Sequence, residues 1–438
     1  MSALLPTADA PPPDRTERRC LIALLVLAAL LRLGVICWKP ESLAEDRDLY
    51  WGIAKHLAAG DGFVHPDLGH PTAYRPPLYP LLLAGLIVVG GGTKLLAVVQ
   101  IGMGVATVWL TWRLGRKLGL KSNALLAAAF IAVNPLLIQA TALAMTETLC
   151  TFLLVAVLWI VAEIEETKRR WPLGALIALA VLCRPTVWAY ATLMSAVIAV
   201  GCFGTTWTGK RRRIAEVARG WRSIIVAFGL TIAPWVIRNW FVFGTLIVTT
   251  THGGYTLLLG NNDEAYREEI AQPSEGQWDS RAWQQSLEDE LQQVDIARRD
   301  EVARDQWMGM RAGIWISQHP REFAESCWLR QKRFWNIFPS GSDAGSIPTV
   351  NRWGIAAFFL VELLAAAVGF WRLRRDELLT WLPLVLLVVS FAALHLVYWS
   401  NLRMRAPVEP VLALLAARGL LRDHRENCGS ATRIGERG

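Results

Sequence analysis

The chain has 438 residues, 53% of them hydrophobic and only 19% charged, with a mean hydropathy of +0.32; soluble domains carry nearer a quarter charged residues, so an ordinary soluble fold is excluded and a membrane protein is expected. Seven scattered cysteines, none in C-x-x-C spacing, exclude a disulfide framework and a thiolate zinc site. The net charge of +8 does not point to nucleic acid, because the basic residues sit in short clusters beside apolar runs, where membrane topology requires them.

Residues 1–19, with the APPPD run, are expected to form a disordered cytoplasmic tail. A helix needs about 20 apolar residues to cross a bilayer. Candidates lie near 20–38, 95–112, 123–142, 147–163, 172–183, 185–203, 223–240, 353–371, 379–398 and 406–420, about ten in all. The first follows Arg15, Arg18 and Arg19 and lacks a small-residue cleavage site, so it reads as an uncleaved span. Those three arginines, then Arg113/Arg116/Lys117, Lys168/Arg169/Arg170, Lys210–Arg213, Arg372/Arg374/Arg375 and Arg422/Arg425, mark the cytoplasmic side. An alternating path puts every cluster inside and both termini in the cytoplasm. It also forces residues 78–92 to be a short or re-entrant segment. Residues 172–203 read as two short passes broken at "CRPT", because Pro185 interrupts the run.

These spans divide the chain into a transmembrane module over 20–240 with a first outer loop at 39–94, an outer cap at 241–352, carboxy-terminal transmembrane helices at 353–421 and a cytoplasmic tail at 422–438. In the first loop, "EDRDLYWGIAKHLAAGDGF" places Leu49, Tyr50, Ile53, Ala54 and Leu57 at helical spacing before Gly60, which predicts an interfacial amphipathic helix. The second loop is acidic in its middle and helix-like from Asp305 to Phe338, which predicts a small helical cap.

Five arginines break the positive-inside pattern: Arg75, Arg184, Arg238, Arg403 and Arg405 all fall at outer helix ends. An arginine at mid-bilayer depth costs about 2.5–3.5 kcal/mol on insertion scales, so a group of them near the interface needs a compensating partner. Each taken singly can snorkel to the surface or pair with a carboxylate. Taken as a set they favour an anionic ligand, since the guanidinium fork matches phosphate oxygens. A phosphate in a membrane belongs to a phospholipid or a polyprenyl-phosphate carrier. The facing acids are Glu45, Asp46, Asp48 and Glu147. Asp46 lies at a helix start, where an aspartate is more often an N-cap than a catalyst. Asp48 suits the positive end of the helix dipole, and Glu147 suits a first helical turn after Thr146. Spacing does not choose among them.

The runs "EDRDLYWGIAKHLAAGDGF", "PTAYRPPLYPLLLAG", "MTETL", "LCRPT", "PWVIRNWFVFGTLIVTTTHGGYTLLLGNN" and "RMRAPVEPVLALLAA" together resemble the membrane glycosyltransferases of the dolichyl-phosphate-mannose protein mannosyltransferase superfamily, which include bacterial enzymes that decorate lipid A and other envelope glycans. The resemblance covers nearly the whole chain in order and is weakest over 263–350. It implies an all-α polytopic membrane protein with the C-type glycosyltransferase fold in the cytoplasmic membrane, an active site on the periplasmic face, and membrane lipids as surroundings. It also implies a polyprenyl-phosphate sugar donor and a lipid, glycan or protein acceptor. The family's catalytic aspartate precedes a tyrosine in the first loop, which Asp46 and Tyr50 match. Where many relatives have a second acid, this chain has Arg47 followed by Asp48, so the assisting acid and the use of a divalent metal stay open.

On that resemblance Asp46 is the general base for inverting transfer, with Asp48 and Glu147 as further catalytic candidates. Arg403, Arg75, Arg405, Arg238 and Arg184, in that order, are candidates for holding the leaving phosphate. Tyr50, Tyr74 and His252 are candidate sugar or lipid contacts, with a structural role as the alternative for Tyr74 and His252. Gly253 and Gly254 mark either close backbone approach to a ligand or a plain turn. The competing classes are a polyprenyl-phosphate flippase or transporter and an envelope-assembly scaffold. Missing inverted-repeat symmetry and bulky outer loops argue against the first, and a scaffold has no use for an acid facing an arginine cluster.

Overall fold

The computed structural model describes residues 12–167, 170–206, 211–271, 278, 280–293, 300–339 and 348–420. The expected amino-terminal tail up to residue 11, Lys168, Arg169, Lys210 and the carboxy-terminal tail with Arg422 and Arg425 lie outside the described residues. Within them the regular elements are helices, beside one isolated antiparallel bridge between Val64 and Pro71. In order they are α1 (Arg15–Trp38), α2 (Tyr50–Ala59), α3 (Leu78–Val88), α4 (Gly92–Lys117), α5 (Ala124–Val133), α6 (Pro135–Thr141), α7 (Glu147–Thr167), α8 (Trp171–Cys183), α9 (Val187–Thr206) and α10 (Arg211–Phe243). Then come α11 (Gly253–Gly260), α12 (Asp263–Tyr266), α13 (Arg281–Gln293), α14 (Glu301–Gln318), α15 (Pro320–Phe334), α16 (Thr349–Trp371), α17 (Leu378–Val397) and α18 (Glu409–Gly419).

Among the described residues, α1, α4, the Trp221–Phe243 part of α10, α16 and α17 are long and apolar enough to cross a membrane, five helices, or six if α5 and α6 count as one bent span. Ile22, Val26 and Leu30 on α1, Ile225 and Leu230 on α10, and Leu360 and Leu364 on α16 face outward, as a lipid-exposed bundle requires and a soluble one avoids. This is a multi-pass membrane protein.

Two expected spans take a different form. The run 123–142 is broken between α5 and α6 by a 51° bend. Asn134 precedes Pro135 and is held at ψ 116°, outside the helical region, as a residue before proline tends to be. Its side chain then caps α6, accepting from the amides of Leu136 and Leu137 at 3.1 Å each. The break strips the last α5 carbonyls of their helical partners. Arg32 of α1, only 1% exposed, supplies replacements by donating to Ala132 O at 3.2 Å and Ile131 O at 3.3 Å. Opposite it stands Gly104, where a Cβ would lie 2.3 Å from Arg32 Nε.

The run 406–420 is no lipid-facing span either. It begins inside a 3-10 stretch, Leu402–Val408, and continues as α18, an 11-residue helix with every residue but Arg418 buried. Its partner is α16, and the contact is backbone against backbone. A Cβ on Gly369 would sit 1.8 Å from Leu415 O, and one on Gly419 would sit 2.1 Å from Ala365 O. Small residues permit that approach.

The second outer loop packs α11–α14 around Leu258, Trp283, Leu287, Leu291, Met308 and Ala312. Arg330 of α15 ties this cap to the bundle. It donates to Leu396 O at 2.8 Å and Val397 O at 3.1 Å at the end of α17, and to Gly260 O and Asn261 Oδ1 at the end of α11. One guanidinium thus caps two helix termini.

Candidate active site

The first-loop helix starts at Tyr50, later than its pattern predicts. Leu49 adopts the left-handed conformation (φ 63°) and separates it from the acidic run. Asp46 nevertheless reaches back to it: Oδ1 accepts from Trp51 N at 3.0 Å and Oδ2 from Gly52 N at 2.6 Å. The exposed Asp46 carboxylate therefore caps α2 from outside the helix. Asp48 turns instead toward Arg75, whose Nη2 lies 2.9 Å from Asp48 Oδ1 and whose Nε donates to Asp48 O at 2.9 Å. The Arg75 guanidinium lies over Tyr74 at 4.8 Å and Tyr50 at 5.5 Å.

A second cluster forms where α7, the α8–α9 turn and the 3-10 stretch converge. Glu147, 2% exposed at the start of α7, lies 3.5 Å from Arg184 Nη1 and 3.4 Å from Arg403 Nε. These are ion pairs at longer than hydrogen-bond range. Glu147 Oε2, Arg184 Nη1 and Arg403 Nε are all buried without a hydrogen-bond partner. Arg184 also donates to Met404 Sδ. Tyr50 connects the clusters, because Arg75, Asp48, Arg184 and Glu147 all act electrostatically on its hydroxyl, while burial pushes the pKa of that hydroxyl up. His252 lies edge-on to Tyr74 at 4.2 Å and stacked on Tyr255 at 5.0 Å. Burial, with Arg75 beside it, holds its pKa well below the usual histidine range, so the ring is neutral at pH 7. Its Nδ1 is buried without a partner.

Two of the five outer arginines belong to the scaffold. Arg405 is fully enclosed: Nε donates to Glu409 Oε1 at 2.6 Å, Nη1 to Asn336 O at 2.9 Å, and the guanidinium lies 4.6 Å over Phe359. Asn134 Nδ2 donates to the other Glu409 oxygen at 2.7 Å. The signal was present in the sequence, since Glu409 stands four residues beyond Arg405. Arg238 donates to Thr72 O at 2.8 Å and Phe63 O at 2.9 Å, and so tethers the first outer loop to α10. Its replacement by Ala is expected to free that loop, seen as faster limited proteolysis between residues 61 and 72 with the bundle intact. Cleavage at the wild-type rate would show the tether to be dispensable.

Residues 74–237 match the family described as dolichyl-phosphate-mannose-protein mannosyltransferase. The match covers less than half of the chain. Among solved structures it is similar to the Archaeoglobus fulgidus oligosaccharyltransferase AglB in complex with an inhibitory peptide and a dolichol-phosphate, with a TM-score of 0.52 and 15% identity over 92% of this chain and 50% of that one. The apo form of the Archaeoglobus fulgidus oligosaccharyltransferase gives a TM-score of 0.51 and 16% identity over 90% of this chain and 50% of that one. The chain thus spans about half the length of these glycosyltransferases. Among curated proteins, none matches.

Within this fold, two acids on α14 hold α11 and the 72–73 strap in place, and neither was singled out in the sequence. Glu301 accepts from Thr72 Oγ1 at 2.5 Å, Ala73 N at 2.8 Å and Thr251 Oγ1, fixing the strap that ends in Tyr74 and Arg75. Asp305 accepts from Gly254 N at 2.7 Å and Tyr255 N at 3.3 Å. A Cβ on Gly254 would lie 1.9 Å from Asp305 O, so Gly254 serves close helix packing, whereas a Cβ on Gly253 would meet nothing within 4 Å. Among the described residues no group of three or more His, Cys, Asp or Glu side chains converges to hold a metal ion; Asp48 and Glu147 face arginines instead.

Proposed function

We propose that the chain is a polyprenyl-phosphate-dependent membrane glycosyltransferase whose donor phosphate docks between Arg184 and Arg403, with Arg75 at its edge. The observation that carries this reading is the pair of guanidinium groups, Arg184 mostly buried and Arg403 half-buried, directed at one buried carboxylate, each with a buried nitrogen left unmatched. A buried, unmatched N–H costs about 1–3 kcal/mol, more when charged, and phosphate oxygens would remove that cost. The family match and the AglB-like fold support the same class.

In this reading the acceptor, a protein, glycan or lipid nucleophile, attacks the anomeric carbon from the face opposite the phosphate and the sugar configuration inverts. Asp46 takes the acceptor's proton. Two amide hydrogen bonds orient its carboxylate and leave a lone pair on each oxygen for the purpose. Arg184 and Arg403 stabilise the charge gained by the leaving phosphate, as preorganised donors do when they are aimed where charge develops. Asp48 orients Arg75, and Tyr50, Tyr74 and neutral His252 line the sugar side. The site opens to the periplasm, with both termini in the cytoplasm and about ten passages counting the short helices.

Purified protein incubated with a labelled polyprenyl-phosphate sugar and a mixed acceptor pool is expected to release polyprenyl phosphate. Movement of the labelled lipid across a vesicle bilayer without release would replace the transferase with a flippase.

A further inference from the structure

We infer that Glu147 tunes the anion pocket toward the singly charged phosphodiester of the donor and away from the doubly charged phosphomonoester left by the reaction; this rests on the transferase reading above. Glu147 stands between Arg184 Nη1 and Arg403 Nε at 3.5 and 3.4 Å, nearly equidistant from both, and is 2% exposed. It leaves the Arg184–Arg403 pair, one mostly buried and one half-buried, with a net single positive charge. Nearby, Arg75 and Asp48 form a pair that adds no net charge.

The transfer changes the charge that this pocket must hold. As the bond between the anomeric carbon and the phosphate oxygen breaks, its electron pair leaves with the phosphate. The new bond forms to the acceptor, whose proton goes to the base. A diester with one negative charge becomes a monoester that carries close to two at neutral pH. Coulomb attraction to the pocket grows in proportion to ligand charge, whereas the desolvation cost of the ligand grows with its square. Lowering the pocket's charge by one unit therefore weakens the hold on product more than the hold on donor. Two arginines without Glu147 would grip the spent carrier and slow its exit. The unmatched Arg184 Nη1 and Arg403 Nε are donors that the oxygens of an entering anion would fill; Glu147 Oε2, itself an acceptor, gains nothing from that anion.

The test compares two probes on the full-length protein in detergent: farnesyl phosphate, a monoester, and farnesyl methyl phosphate, a diester. At pH 8, Glu147→Gln is expected to raise the ratio of monoester to diester affinity about tenfold. Arg403→Gln should lower it, and the double variant should return it to within about twofold of wild type. At pH 5, where the monoester carries a single charge, the Glu147→Gln effect should largely disappear, a dependence that a purely structural role would not produce. Because Glu147→Gln leaves both arginines without a counter-charge and can fail to fold, Arg403→Gln carries the same test in the opposite direction. Ratios that stay within about twofold of wild type in the variants that fold at pH 8 overturn the charge role and leave the transferase reading in place. Wild-type protein that binds neither probe overturns both.

Discussion

Asp46→Asn is expected to abolish sugar transfer, with a loss of about 10²- to 10⁴-fold in turnover, while the protein remains folded in the membrane. The substitution keeps the side chain's size and removes its basicity. It also disturbs the cap, because an amide side chain has one acceptor oxygen where the carboxylate presents two to Trp51 N and Gly52 N. That structural cost is about 1 kcal/mol, the usual worth of a helix cap. The two effects separate cleanly, since a weakened cap lowers thermal stability by a few degrees and leaves chemistry intact. Normal turnover with a slightly lower melting temperature would make Asp46 a cap alone. Base chemistry would then pass to Asp48, and Asp48→Asn would become the decisive variant.

Arg405→Ala is expected to cost about 3–5 kcal/mol of stability, because it leaves Glu409 in the interior without its counter-cation, beside Asn134 and the buried Glu362 carboxyl. The measurement is folded yield and thermal unfolding in detergent, set beside Arg403→Ala. Arg403 lies at a half-buried edge, 27% exposed, and its loss should weaken polyprenyl-phosphate binding without a comparable loss of fold. Neighbours two positions apart would thus fail in opposite ways. If Arg405→Ala melts like wild type and binds phosphate poorly, Arg405 belongs at the ligand after all.

The membrane character and the helical make-up of the chain were legible in the sequence because composition and hydropathy encode them directly. Arg184, Arg403 and Glu147 do come together, as their shared placement at outer helix ends implied. What spacing did not convey was which arginine meets which oxygen. Arg238 ends on carbonyls of Thr72 and Phe63, far away in the chain. Glu301 finds Thr72 in a loop more than two hundred residues earlier. Tertiary hydrogen bonds of this kind leave no periodicity to read. The 123–142 run misled for another reason: hydropathy averages over Asn134–Pro135, whereas the backbone stops there.

The shelter around Arg32 has a consequence for biogenesis. Its carbonyl partners at Ile131 and Ala132 are made about a hundred residues after it, so until then the guanidinium has only Ala28 O of its own helix, 3.1 Å away. The docking of α1 onto the α5–α6 break is therefore completed only once that kinked pair has been synthesised.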